Sequence, residues 1–421
     1  MSIIKAVILF FIFQFEIFII PNSLYAQERI YGLHADLPMP LASQQGISLE
    51  EQIDIIKKTG TKMVRLRMSW DEIEKIQGQY HWNQTDDILS LLKINDLEPL
   101  MIIRDTPYWA KSDSNCGGLL IKDKICPPKL TDWGKFIQKS VERYGYQTGG
   151  LAYIRYWEIW NEPNSSLMFS GTVDEYFDIL KEANLIIHNI DPSSKVLNGG
   201  ITHNGILNSD GNNWVDNLLK KQGIAQAFDI FNFHLYGAVD NPENTFNKVK
   251  NLLNIYNLGL KSVWVTETNP SETSEESLAA VMSSWHQRIF NQSVKAVFFF
   301  TLPNWCQKDT QDPVWCDQNV YTTERRIGGL VKASDFRTNT LAYVSYKNMT
   351  GENITPTLII SLSPAIKSGD ANKDNKVDGL DYVIWLNHYN QSATGAGYGD
   401  FNNSGKVDGL DYVIWLNNYG K

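Results

Sequence analysis

The sequence predicts an α/β fold, a (β/α)8 TIM barrel, followed by a small all-α repeat domain. Over residues 28–349 short apolar strands alternate eight times with amphipathic helical stretches. Several strands, such as Val297–Phe300, are apolar without period-two alternation, as expected of parallel strands covered on both faces. Near the C-terminus the segment Lys376–Asn387 recurs at Lys406–Asn417, thirty residues on.

In chain order, the first element is an expected signal peptide over residues 1–26. Lys5 precedes an apolar run from Ala6 to Ile20 that only Gln14 and Glu16 interrupt, and Ala26 offers a small residue before a cut ahead of Gln27. An uncleaved anchor is the alternative, against which Glu16 would be costly at mid-bilayer. No later segment is long and apolar enough to span a membrane.

The barrel is expected over residues 27–350. Its strands begin at Ile30–His34, Met63–Arg67 and Leu100–Ile103, continue at Tyr156–Trp160, Lys195–Leu197 and Ile230–His234, and end with Ser262–Thr266 and Ala296–Phe300. Helical patterns include Leu49–Lys58, Trp133–Tyr144, Tyr176–Asn189 and Ser277–Phe290, and the last runs roughly from Asn339 to Met349. Eight such units favour a closed barrel over an open doubly wound sheet, and no Gly-rich phosphate loop follows the first strand. Cys116 and Cys126 lie ten apart, as do Cys306 and Cys316. Two loop-stapling disulfides are expected over a zinc site, because C-x-x-C spacing and clustered histidines are missing. A formal charge of −9 argues against nucleic acid as a partner.

Barrel chemistry collects at the C-terminal ends of strands. Those ends carry Arg65 and Arg67 on strand 2, Asn161 and Glu162 after strand 4, His234 and Tyr236 after strand 6, and Glu267 after strand 7. Two carboxylates reaching one mouth from different strands suit glycoside cleavage. One gives a proton to the leaving oxygen while the other, ionised, attacks the anomeric carbon. Trp109, Trp160 and Trp305 follow strands 3, 4 and 8 and are candidate sugar platforms. Glu158 shares the parity of Glu162 but lies deeper, and reads as a buried barrel residue; His34 and His203 read as hydrogen-bonded rim residues.

The run Trp157-Glu158-Ile159-Trp160-Asn161-Glu162-Pro163-Asn164 and the run Trp264-Val265-Thr266-Glu267 resemble the strand-4 and strand-7 signatures of clan A glycoside hydrolases. Arg65 resembles the strand-2 arginine of that clan, with Arg67 as its possible substitute. Trp70-Asp71-Glu72-Ile73-Glu74 followed by Gly78-Gln79-Tyr80-His81-Trp82 is most similar to families 39 and 5. Arg104-Asp105 stands where many family 5 members have a histidine. The resemblance implies a retaining O-glycosyl hydrolase that acts on a polysaccharide or oligosaccharide by double displacement, with no catalytic cofactor. Glu162 would be acid/base, Glu267 nucleophile, Asn161 a donor to the sugar 2-hydroxyl, and Arg65, His234 and Tyr236 the supports of the two carboxylates. A catalytically idle carbohydrate-binding barrel, a cell-surface transglycosylase and an exported structural protein are the competing readings.

A linker is expected over 351–367 and the repeat domain over 368–421. Its first loop offers oxygen donors from Asp370, Asn372, Asp374, the Lys376 carbonyl, Asp378 and Asp381. The second offers Asp400, Asn402, Ser404, the Lys406 carbonyl, Asp408 and Asp411. These are positions 1, 3, 5, 7, 9 and 12 of a calcium loop entering a helix, so structural Ca2+ is expected. Val383-Ile384-Trp385 and Val413-Ile414-Trp415 are the expected core. With Asp at position 12 and one helix per loop, the repeats resemble a type I dockerin, which implies a cohesin-type partner and a secreted or cell-surface location.

Overall fold

The computed structural model describes residues 29–113, 116, 124–148, 153–209, 211–237, 242–270, 272, 274–303, 329–332, 336–351, 369–372, 374, 376–393, 395–402 and 404–420. The chain divides into two compact units, Met1–Thr350 and Gly351–Lys421. The signal segment expected over 1–26 lies outside the described residues, as do the linker beyond Gly351, Trp305, Cys306 and Cys316.

In the first unit, strands β1 (Ile30–His34), β2 (Met63–Ser69), β3 (Glu98–Arg104), β4 (Tyr156–Asn161), β5 (Lys195–Gly200), β6 (Ile230–Tyr236), β7 (Ser262–Asn269) and β8 (Ala296–Phe299) close into a barrel in chain order. Every neighbouring pair is parallel, and β8 returns to β1 with Ala296 opposite Ile30 and Phe299 opposite Leu33. The barrel floor is apolar: Met63, Leu100, Leu197, Ile230, Trp264, Ala296 and Phe298 pack together inside it. Side chains two residues further along each strand share that inward parity, and there the interior turns polar.

The helices bury their apolar stripes against the outside of the sheet. Leu49–Lys58 is capped by Ser48, whose hydroxyl accepts from the Glu51 N–H, and buries Gln52, Ile53 and Ile56. The helices Leu130–Tyr144, Val173–Ile190 and Glu275–Phe290 each begin earlier than their apolar periodicity does, and Leu341–Thr350 closes the unit. Thr172 with Glu175 forms a capping box at one of these starts. A disulfide joins Cys116 to Cys126 in the connection between β3 and Leu130–Tyr144. Among the described residues no helix is long and apolar enough to cross a membrane.

The second unit is two copies of a loop and helix, with helices Gly379–His388 and Gly409–Asn418. The copies lock reciprocally. The Trp385 indole N–H donates to the Asp408 carbonyl at 3.0 Å, and the Trp415 indole N–H donates to the Asp378 carbonyl at 2.9 Å. Tyr382 lies 5.0 Å from the Trp415 ring and Tyr412 lies 5.2 Å from the Trp385 ring. The expected core is corrected here: Trp385 and Trp415 are buried, whereas Val383 and Val413 are about half exposed, 49% and 48%. A single helix per copy has only one face to bury, and the indoles, two residues round, take it.

Candidate active site

The polar layer above the floor is organised by Arg65, which is completely buried. Its Nε and Nη2 donate to the two oxygens of Glu158, each at 2.8 Å, the bidentate geometry a guanidinium favours. Nη1 donates to Oε1 of Glu267 at 2.5 Å, and Nη2 also reaches Oδ1 of Asn161 at 2.8 Å. One cation therefore ties β2 to β4 and β7. Burial alone would pull its pKa down, but the Glu158 and Glu267 charges outweigh that and hold it above its ordinary value. Glu158 also accepts from the Gly200 N–H at 2.9 Å, so it is a fully satisfied barrel residue. Arg67 is a third exposed and pairs with Asp105 and Glu72, leaving Arg65 as the arginine on Glu267.

Local irregularities aim the carboxylates. On β7 the register slips between Val265 and Thr268, so that Glu267, not Thr266, lies opposite His234. Such a bulge turns a side chain to the other face, and here it brings Glu267 into the mouth. On β4, Trp160 and Glu162 have left-handed backbone angles, φ 70° and 45°. Each such residue costs about 1–3 kcal/mol and persists only where surroundings hold it. The Glu162 N–H is held by the Gly200 carbonyl at 3.0 Å.

The two carboxylates share His234. Its Nδ1 lies 2.8 Å from Oε1 of Glu162, and its Nε2 faces Nη2 of Arg65 at 3.4 Å. A guanidinium only donates, so Nε2 is the acceptor and the Nδ1–H donates to Glu162. The Tyr236 hydroxyl donates to Oε2 of Glu267 at 2.6 Å. Burial, then the Glu267 charge, pushes that phenol well above its ordinary pKa, so it remains a donor. Burial also works against the Glu267 charge, but His234 and Arg65, followed by His34 and Tyr236, override it and hold the carboxyl down to about 2. Asn161 spends its amide oxygen on Arg65, which leaves its amide N–H groups to donate elsewhere.

Oxygens of Glu162 and Glu267 and a ring nitrogen of His234 all lie within 4.8 Å of one another. His234 bonds Glu162, and Arg65 and Tyr236 bond the two oxygens of Glu267, contacts that suit proton transfer. Gly200 makes the arrangement possible, since a Cβ there would stand 2.0 Å from Nε2 of His234. Gly200→Ala is expected to displace the imidazole from Glu162 and to destabilise the barrel by about 1–3 kcal/mol. Thermal unfolding and the Nδ1 proton resonance of His234 in nitrogen-labelled protein would read both effects; an unmoved resonance would contradict the account.

Of the expected sugar platforms, Trp160 needs correction. Its ring is completely buried against Trp133 and Phe169, and its N–H donates to the Met168 carbonyl, because the left-handed turn at Trp160 directs it outward. Trp109 is half-buried, edge-on to Trp70, with its N–H on the Glu74 carbonyl. Trp305 is outside the described residues. His34 lies against Arg65, its Nδ1 3.2 Å from Nη1, and His203 is buried. Phe300, read as the last strand residue, lies just beyond β8, with its ring 5.0 Å from His34 and 6.2 Å from Tyr236. Its place at the end of an apolar run concealed it.

Paired carboxylates at the ends of β4 and β7, at the mouth of a parallel barrel, are the arrangement that glycoside cleavage uses. Comparison with known proteins adds the particulars. Residues 154–323 match the glycosyl hydrolase catalytic core family, and residues 368–419 match the dockerin type I domain. The chain thus carries, in order, a match to a glycosyl hydrolase catalytic core and a match to a type I dockerin. Among curated proteins, a β-xylosidase of Caldicellulosiruptor saccharolyticus is 35% identical over 83 residues, which is 18% of this chain and 16% of that enzyme. Among solved structures, a family 39 glycoside hydrolase of Bacteroides cellulosilyticus WH2 superposes with a TM-score of 0.56 at 16% identity, covering 77% of this chain and 64% of that one. A family 39 β-xylosidase of Caulobacter crescentus gives 0.57 at 19% identity, covering 77% and 71%. These two structural likenesses are of fold.

Proposed function

We propose that this chain is an exported, retaining O-glycosyl hydrolase that cleaves β-glycosidic bonds in plant-type or microbial polysaccharides or oligosaccharides. The observation that carries the reading is the approach of the Glu162 and Glu267 oxygens to within 4.8 Å, with Glu267 held ionised. Inverting enzymes separate their carboxyl groups by about 6.5–9.5 Å to admit a water, whereas retaining ones bring them to about 5–5.5 Å.

In the first step Glu267 attacks the anomeric carbon while Glu162 gives its proton to the departing oxygen. The glycosidic C–O bond breaks and a glycosyl ester forms on Glu267. In the second step Glu162, now a carboxylate, takes a proton from water, whose oxygen displaces Glu267 from the same carbon. Arg65 and Tyr236 stabilise the returning Glu267 carboxylate, His234 orients Glu162, and the Asn161 amide is placed to donate to the sugar 2-hydroxyl. The β-xylosidase relatives make aryl β-xylosides the first substrates to assay. Proton NMR of the first-formed sugar tests the mechanism, which requires the β anomer; an α product would exclude double displacement.

The repeats fit calcium by the chemistry of their donors. Each loop buries two carboxylates, Asp370 with Asp381 and Asp400 with Asp411, all at most 1% exposed. Buried like charges need a cation beside them. Asp370, Asn372, Asp374, Lys376, Asp378 and Asp381 would hold one ion, and Asp400, Asn402, Ser404, Lys406, Asp408 and Asp411 the other. Bound calcium would supply folding free energy to a unit with little core. Residues 366–421 are therefore expected to gain helical circular dichroism with calcium and to lose it with chelator, and Asp381→Ala should remove the response of the first loop. Helicity indifferent to calcium would overturn this. The family match makes a cohesin-type protein the expected partner and an extracellular position the expected setting.

A further inference from the structure

One layer above Arg65, nearer the mouth, the barrel carries charges that the mechanism leaves unused. Arg67 shares the inward parity of Arg65 on β2, His34 pairs with Arg65 across β1, and Arg104 pairs with Ser69 across β3. Asp105 is buried and fully engaged, accepting from Arg67 at 3.1 Å and from Arg104 at 2.7 Å. Asp36, two residues beyond His34, differs. Its side chain is 44% exposed, and its Oδ1 lies 3.7 Å from Nε2 of His34, too far for a hydrogen bond. That oxygen is itself buried and has no hydrogen-bond partner among the described residues, so the exposed part of the carboxyl is what a ligand can reach. Burial opposes its charge, but His34, Arg67 and Arg104 outweigh this and hold the carboxyl well below the usual carboxylate range.

Asp36 is therefore an ionised acceptor with unused capacity, and it stands on the nucleophile's flank. Glu267 bonds Arg65, Arg65 touches Nδ1 of His34, and the opposite nitrogen of that ring faces Asp36. A sugar hydroxyl there can donate to Asp36 and accept from the adjacent guanidinium of Arg67.

We infer that Asp36, with Arg67 beside it, reads the hydroxyls of the sugar that Glu267 attacks, and that this sugar is neutral, not a uronic acid. The inference rests on the glycosidase reading and deepens it. The neutral preference follows from the local charges. Among the described residues, Arg67, Arg104 and Lys124 face Asp36, Asp71, Glu72 and Asp105, three cations against four carboxylates. A substrate carboxylate would add to the excess.

The test uses the full chain and 4-nitrophenyl β-glycosides of xylose, glucose, galactose, mannose and glucuronic acid. The wild type is expected to turn over at least one neutral glycoside and to leave the glucuronide untouched. Losing a hydrogen bond to a charged group should lower kcat/KM roughly ten- to a hundredfold in Asp36→Ala, mainly through KM. Asp36→Asn, which keeps the shape and loses the charge, should fall between. With monodeoxy analogues of the preferred sugar, the gap between wild type and Asp36→Ala should close for the analogue lacking the hydroxyl that Asp36 binds. A purely structural role would leave the gap equal for all analogues, and that result would overturn the inference, as would preferred hydrolysis of the glucuronide. Wild-type turnover that Asp36→Ala leaves unchanged would also overturn it while sparing the glycosidase reading. No turnover of any glycoside by the wild type would instead remove the glycosidase reading itself.

Discussion

Glu267→Ala is expected to lose at least about ten-thousandfold in kcat, because the group proposed to form the glycosyl ester is gone. The loss should be chemical and not simply a failure to fold. Arg65 would still hold Glu158 and Asn161, although breaking one contact of a buried ion pair costs about 3–5 kcal/mol, to be checked by thermal unfolding. The truncated side chain also leaves room for a small anion. Azide entering there would attack the anomeric carbon from the nucleophile's side of an activated aryl β-glycoside, and turnover should return with an α-glycosyl azide as product. A β-azide would mean that Glu267 is the acid/base and that the two roles are reversed.

The second large effect depends on the leaving group. Glu162→Gln keeps the size of the side chain and can still accept from the Nδ1–H of His234, but it has no proton to give. Cleavage of natural glycosides, whose leaving alkoxides need that proton, should fall by about a hundred- to ten-thousandfold. Formation of the glycosyl-enzyme from a dinitrophenyl glycoside should change little, since the departing phenolate is stable by itself. Pre-steady-state bursts separate that first step from the slowed second one. Equal losses across both kinds of substrate would remove the proton-donor role from Glu162.

Much of the barrel was legible because periodicity reports burial. Ile30–His34 was read to its observed ends, and the starts of β2 and β4 to β8 were read correctly, whereas β3 begins at Glu98 instead of Leu100. Leu49–Lys58 matches its predicted ends, but three helices start before their periodicity does because an N-terminal turn is largely polar: Asp174 and Glu175 carry no apolar signal, yet Thr172 caps the helix there. The site residues could be named because barrel mouths draw on strand ends, but their aiming could not. The bulge that turns Glu267 inward and the left-handed angles at Trp160 and Glu162 are tertiary facts with no sequence period. The same turn misled the reading of Trp160, since strand parity ceases to report direction once a residue leaves the extended region. Asp36 was missed for a simpler reason. A lone acidic residue past a strand resembles any solvated turn until its neighbours are known.

The layer formed by Arg65, Glu158 and Glu267 also bears on how this barrel would respond to engineering. A guanidinium and two carboxylates fill space that Leu or Met could occupy, and replacing a whole buried ionic cluster with well-packed apolar residues often raises stability by about 1–4 kcal/mol. Heat resistance and turnover therefore pull on these positions in opposite directions. A laboratory selection that scored survival at high temperature alone would tend to discard this layer, yielding sturdier barrels without the proposed nucleophile. Screens for hardier variants should hold these three positions fixed and seek their gains in the outer helices.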